Sequence, residues 1–233
     1  MNSHWIPPRF RANFRPVKGA IRLALKPFKR RLVERAENPY ATHIPILLGL
    51  PRLLKIRHLL ELGCGEYSTL TFLNRSVFPD LEILTSFEND LAWKERIARL
   101  AGSDPRINLK LVVGTMSDAI FEADLQSFDL VFIDDSASGE LRTETIREVI
   151  RKLGKSQVVV IHDYEYEPYR KAAKGASNHF QFDSLNPNTG IVWNDGPINK
   201  YQLRKLETAI KKNCNHIPPN DIQRWQQIFD REF

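Results

Sequence analysis

The chain has 233 residues, 42% hydrophobic and 27% charged, with a formal charge of +6 at neutral pH and a mean hydropathy of −0.37. That length suits one domain of about 200 residues plus an appendage, or two small domains, and the apolar fraction excludes a disordered chain. The longest nearly uncharged apolar run, residues 44–50, is too short for a bilayer span of about 20 residues, residues 1–18 carry no apolar signal core, and Cys64 and Cys214 cannot build a disulfide framework. These features predict a cytoplasmic protein.

The charge belongs to one end. Residues 1–37 hold ten Lys and Arg against Glu34 and Glu37, net +8, whereas the remaining residues are net −2. Val17, Ile21, Ala24, Leu25, Phe28 and Leu32 share one helical face, with Arg22, Lys26, Lys29 and Arg30 elsewhere and Pro27 as a kink or stop. Three readings stand for this arm: its apolar face docks on the domain, it lies on an anionic membrane surface, or it binds nucleic acid. The last is the weakest, since no RNA-binding motif accompanies the charge.

From residue 55 onward, short β-rich runs alternate with helix-like stretches. Strands are predicted at 56–62, 81–88, 107–113, 128–134 and 157–162. Helices are predicted at about 68–75, 91–100, 118–123, 140–153 and 166–174, the fourth with Leu141, Ile146, Val149, Ile150 and Leu153 on or near one face. Residues 178–184 and 189–195, joined by the turn-rich LNPN, read as a terminal antiparallel pair, and two helices close the chain at about 199–212 and 219–229. Strands apolar on both faces and separated by helices imply an α/β, doubly wound, mostly parallel sheet with right-handed crossovers.

Ligands of such sheets lie beyond the carboxyl ends of the strands, where the order reverses. The first strand ends in ELGCGEYSTL, residues 61–70. Gly63 and Gly65 let the backbone turn tightly, and the following helix offers free N–H groups, with Ser68 placed to cap it. Glu88, closing the second strand, is positioned to accept from a ribose diol. A dinucleotide fingerprint needs a third glycine where Ser68 stands, which argues against NAD. An acidic residue opening the turn, Glu61, suits a cofactor with a positive amino-acid end and no phosphate, as in S-adenosylmethionine.

ELGCGEYST, SFEND (86–90), FDLVFIDDS (128–136), VVVIHD (158–163) and TGIVW (189–193) together resemble the class I, Rossmann-like S-adenosylmethionine-dependent methyltransferases. The resemblance covers about residues 55–196 and implies a seven-stranded sheet with a terminal antiparallel strand. It divides the chain into a basic arm, 1–37, and a methyltransferase-like domain, 38–233, whose last helices occupy 197–233. It departs from the family pattern at Tyr67, where a third glycine is usual, and at Gly154-Lys155-Ser156, where Gly-Gly often precedes the fifth strand. It implies that Gly63 and Gly65 line the methionine part of the cofactor, Glu88 the ribose, and Thr115 and Met116 the adenine. It also offers Tyr40 or His43, in the segment before the first strand, as contacts for a substrate.

Chemistry is expected at the strand ends. His162 is a candidate general base toward a hydroxyl, with Asp163 and Asp134 beside it. The alternative is Mg²⁺ held by Asp134 and Asp163, the strand ends that carry carboxylates in the family's metal-dependent O-methyltransferases. Cys64 reads as a small packing residue, and Tyr164, Tyr166 and Tyr169 as a loop lining either an acceptor pocket or solvent. FIDDS stands where an N-directed enzyme would carry an Asn/Asp-Pro-Pro-Tyr type motif. The reading is therefore methyl transfer to a hydroxyl of a small-molecule or glycan-like acceptor. A non-catalytic binding or scaffold module with a membrane- or RNA-contacting arm is the alternative, and an NAD-dependent oxidoreductase comes third.

Overall fold

The computed structural model describes residues 38–136 and 138–233. The basic arm, 1–37, and everything expected of it lie outside the described residues. Seven strands, β1 (His58–Leu62), β2 (Ile83–Glu88), β3 (Ile107–Leu111), β4 (Leu130–Ile133), β5 (Val158–His162), β6 (Asn178–Phe182) and β7 (Thr189–Trp193), form one sheet in the order β3-β2-β1-β4-β5-β7-β6. β7 runs antiparallel to β5 and β6, and the other pairs are parallel. The order reverses between β1 and β4, which is the switch point expected of a doubly wound sheet.

Among the described residues, eight α-helices accompany the sheet: α1 (Ile44–Gly49), α2 (Glu66–Leu73), α3 (Leu91–Ala101), α4 (Met116–Glu122), α5 (Gly139–Arg151), α6 (Glu167–Ala172), α7 (Lys200–Asn213) and α8 (Ile222–Glu232). Strand side chains alternate between faces, and the core divides accordingly. Leu59, Leu130, Phe132, Val158 and Val160 pack with α1, Phe72 of α2, and the apolar stripes of α7 and α8. Leu60, Leu62, Val131, Ile133, Val159 and Ile161 pack with Ile120 of α4, Ile146, Val149 and Ile150 of α5, and Tyr169 of α6. Each such fully buried side chain contributes about 1.5–3 kcal/mol relative to exposure. No helix among the described residues is long and apolar enough to cross a membrane.

One helix was not expected, and two local expectations need correction. Residues Ile44–Gly49 form α1, entered through Pro45, whose missing N–H costs nothing in a first turn. α2 starts at Glu66, not Ser68; Gly65 occupies the cap position without a side-chain bond, and Ser68 lies inside the first turn, so it does not cap. On α5, Leu141 is exposed and Arg142 is buried, for a reason that appears at the site.

Candidate active site

Alternation places the first pair of site residues. On β4 and β5, Phe132 and Val160 face α1, so two residues on, Asp134 and His162 point to the same side. The register that pairs Ile133 with Ile161 sets them side by side, Asp134 Oδ2 lying 3.3 Å from His162 Nδ1. His162 is 4% exposed, and its Nε2 meets the Thr42 hydroxyl at 3.0 Å. Burial pulls the His162 pKa down, but the Asp134 and Asp163 carboxylates outweigh it and the net direction is up. Burial works against the Asp134 charge too, yet His162 and Arg142 hold that carboxyl at about 2.

Arg142 completes a charge cluster. Its Nη1 lies 3.0 Å from Asp134 Oδ1 and 2.8 Å from Asp163 Oδ2, and its Nε 3.6 Å from Asp135 Oδ1. Nε also donates to the Ser136 carbonyl at 3.1 Å. Asp135 accepts from the Thr145 hydroxyl at 2.8 Å. Asp163 adopts a left-handed φ of 56°, a conformation Asp tolerates better than bulkier residues, with its carboxylate tied to the guanidinium.

A second histidine arrives from the segment before β1. His43 opens α1, its carbonyl accepting from the Ile46 and Leu47 N–H groups at 3.1 and 3.0 Å. That helix start fixes the ring edge-on to His162, centroids 4.8 Å apart, and 5.1 Å from the Phe132 ring. His43 is 2% exposed, and among the described residues neither ring nitrogen has a hydrogen-bond partner. Burial, reinforced by His162, lowers its pKa to about 3, so the ring is neutral at pH 7.

The glycine turn forms the other wall. Gly63 has φ +85°, and a Cβ there would stand 2.4 Å from the Asp134 carbonyl oxygen and 2.5 Å from Asp135 Cα; only glycine lets β1 and β4 end so close together. Glu61, fully buried, accepts from Thr69 at 2.8 and 3.0 Å and from Ser86 at 2.6 Å, because register puts Ser86 beside it. Burial raises its pKa to about 7, against these hydrogen bonds. Glu88 accepts from the N–H groups of Cys64, Asn89 and Asp90 at 3.2, 2.8 and 2.9 Å, and from the Cys64 thiol at 3.4 Å. The Trp93 indole donates to the Cys64 carbonyl at 2.6 Å.

Between these walls lies a cavity of about 390 Å³ lined by Tyr40 and His43, residues 63–68, Trp93, Arg96 and Asp134. Its volume falls in the range of small-ligand sites, about 300–1,000 Å³. Of the residues expected at the site, Gly63, Gly65, Ser68 and Asp134 line this cavity, whereas Glu61, Glu88, Thr115, Met116, His162 and Asp163 are not in its lining. The Thr115 side chain closes a capping box on α4 with Asp118, and Met116 packs in the core. Tyr164 and Tyr169 are buried in the core, away from this cavity.

Two residues of the cluster were given no role from the sequence. Arg142 stands four and seven positions before Ile146 and Val149, a charge in register with an apolar stripe, which was a readable signal. Thr42 carried none, since its partner His162 is 120 residues away.

Comparison with known proteins follows the same lines. The methyltransferase domain family matches residues 60–164. No curated protein matches the chain in sequence. Among solved structures, a Staphylococcus aureus protein assigned provisionally as a caffeoyl-CoA O-methyltransferase superposes with a TM-score of 0.51 at 13% identity, over 72% of this chain and 88% of that one. Spermidine synthase from Thermotoga maritima superposes with a TM-score of 0.51 at 15% identity, over 82% of this chain and 76% of that one. An O-methyltransferase family protein from Burkholderia thailandensis gives 0.50 at 10% identity, over 66% and 55%. At such identities the likeness is one of fold.

Proposed function

We propose that the chain is a class I, Rossmann-like S-adenosylmethionine-dependent methyltransferase, and that its acceptor is a hydroxyl group of a small molecule or glycan-like compound. The observation that carries this reading is a single cavity bounded by the Gly63–Ser68 turn on one side and by His43 and Asp134 on the other. Cofactor and acceptor would meet there end to end.

The residues present fit the cofactor by charge and by shape. Two carboxylates, Glu66, paired with Arg96, and Asp134, line the cavity and suit a ligand with cationic groups, and the first turn of α2, from Glu66, brings helix N-terminal N–H groups close. When bound, S-adenosylmethionine supplies an already activated methyl group on a positively charged sulfur. Gly63, Gly65 and Ser68 would hold its methionyl end and Glu88, beneath Cys64, its ribose. Trp93 offers an aromatic face at the cavity wall. Glu61 braces α2 against β1 and β2 through Thr69 and Ser86, behind the turn that would hold the cofactor.

Methyl transfer is an in-line displacement, so the protein mainly aligns the nucleophile. Asp134 faces the cavity and would orient the acceptor hydroxyl by accepting its hydrogen bond. His162, with both ring nitrogens engaged by Asp134 and Thr42, would act through Asp134. Asp163, tied to Arg142, would position that pair. The Mg²⁺ alternative built on Asp134 and Asp163 meets an obstacle, because the Arg142 guanidinium sits between the two carboxylates. The basic arm, by its charge and amphipathic pattern, is assigned to an anionic membrane surface; equal pelleting with anionic liposomes with and without residues 1–37 would remove that assignment.

Calorimetric titration with S-adenosylmethionine, S-adenosylhomocysteine and NAD tests the cofactor. Micromolar binding of the two sulfur compounds and none of NAD is expected. A panel of catechols, sugars and amines then tests the acceptor, and methylated amines with unmodified hydroxyls would overturn the oxygen-directed reading.

A further inference from the structure

We propose that His43, Asp134 and His162 form a binding site for one divalent first-row transition-metal ion, open toward the cavity. One candidate ligand atom from each of the three residues lies within 4.8 Å of the others. Metal–ligand bonds of about 2.0–2.2 Å draw such atoms together with small rotations of side chains.

The arrangement of each donor argues for ligation. His43 is buried, and among the described residues neither of its ring nitrogens has a partner, which is costly for a group that can donate and accept; a bound ion would occupy one of them. His162 has its Nε2 fixed by Thr42 at 3.0 Å, leaving Nδ1 beside Asp134 Oδ2. A ligating histidine is commonly held in this way through its other nitrogen. Asp134 has Oδ1 turned to Arg142 and Oδ2 to His162, so it offers a single oxygen. Thr42 and His43 are consecutive at the start of α1, and one rigid helix entry therefore supplies both a ligand and the support of another.

Charge and donor type select the ion. Three carboxylates, Asp134, Asp135 and Asp163, surround one buried guanidinium, an excess of acidic side chains that favours a cation. Two imidazoles and one carboxylate suit Zn²⁺, Fe²⁺ or Co²⁺ rather than Mg²⁺, which prefers an all-oxygen shell. His43 and Asp134 line the cavity, so the remaining positions would face the acceptor. There the ion would polarise a hydroxyl and ease loss of its proton. That role rests on the methyltransferase reading; the binding does not.

The test titrates chelator-treated full-length protein with Co²⁺, Zn²⁺ and Mg²⁺, following visible Co²⁺ absorption and metal content. About one Co²⁺ or Zn²⁺ per chain is expected, with Mg²⁺ at least 100-fold weaker. His43→Ala and His162→Gln should each weaken Co²⁺ binding at least 100-fold, while His216→Gln, an exposed histidine outside the cluster, should change it less than threefold. Thermal melts confirm that each variant folds, and the wild-type titration stands without them. No Co²⁺ bands from folded wild-type protein, or bands that persist in His43→Ala, would overturn the proposal. Calorimetry with S-adenosylhomocysteine on the same samples separates the two readings: metal without cofactor would overturn the methyltransferase role alone, and cofactor without metal the site alone.

Discussion

Arg142 reaches Asp134 across the switch edge of the sheet, Nη1 to Oδ1 at 3.0 Å, from a helix position that the amphipathic pattern reserves for an apolar residue. The arginine is 5% exposed and also binds Asp163 and approaches Asp135. Removing one partner of a buried pair leaves an uncompensated charge, at a cost of about 3–5 kcal/mol. Arg142→Met should therefore lower the free energy of unfolding in urea by about that amount. Arg142→Lys should recover less than half, since an ammonium cannot span Asp134 and Asp163 as a planar fork does. Full recovery by lysine would show that charge alone matters there.

Gly63→Ala is expected to be the most damaging change in the turn. Its φ of +85° and the 2.4 Å approach to the Asp134 carbonyl oxygen leave no room for a methyl group. The strands must part, which would disturb the cavity wall on both sides. Affinity for S-adenosylhomocysteine should fall more than tenfold by calorimetry. Gly65→Ala, whose Cβ would meet only the movable Ser68 hydroxyl at 3.0 Å, should lose less. The reverse ranking would contradict this account of the turn.

Much of this architecture was legible in the sequence. FDLVFIDD and VVVIHD are apolar runs ending in chemistry, and alternation along them carries Asp134 and His162 to one face. The antiparallel partner of β5 was legible too, because TGIVW follows a turn-rich LNPN. The α1 helix was hidden by its length of six residues and by Pro45 and Gly49 within it. Placement of His43 against His162 was not legible, since it depends on how a segment before the sheet packs over Phe132. The hydrogen bonds of Glu61 to Thr69 and Ser86 were not legible either, since they depend on the register of β1 and β2 and on how α2 packs over them.

Glu61 should leave a signature in the dependence of stability on pH. Burial raises its pKa in the folded protein to about 7, above the ordinary 4.5. Between those values the folded protein holds a proton that the unfolded chain releases, so stability falls as pH rises through this window, by on the order of 3 kcal/mol. Glu207, raised to about 7 chiefly by burial, acts with the same sign. Glu61→Gln should thus flatten the decline between pH 5 and pH 8 without abolishing it, as read from urea unfolding at both values. An identical slope in the variant would mean that Glu61 is already ionised in the fold.

Cys64 sits in the turn beside the cavity, yet it should behave as an inert thiol. It is 5% exposed; burial, with Glu88 and Glu61 nearby, pushes its pKa well above the ordinary range, and its Sγ donates to Glu88 at 3.4 Å. The thiolate is the reactive form, so alkylation by iodoacetamide at pH 8 should run at least 100-fold slower than in the urea-unfolded chain, as followed by mass spectrometry of the Cys64 peptide. Glu88→Gln removes the negative charge that disfavours the thiolate and should speed the reaction while leaving the turn folded. Rapid labelling of the wild-type protein would mean that the turn opens readily, and the rigid cradle inferred for the cofactor would have to be abandoned.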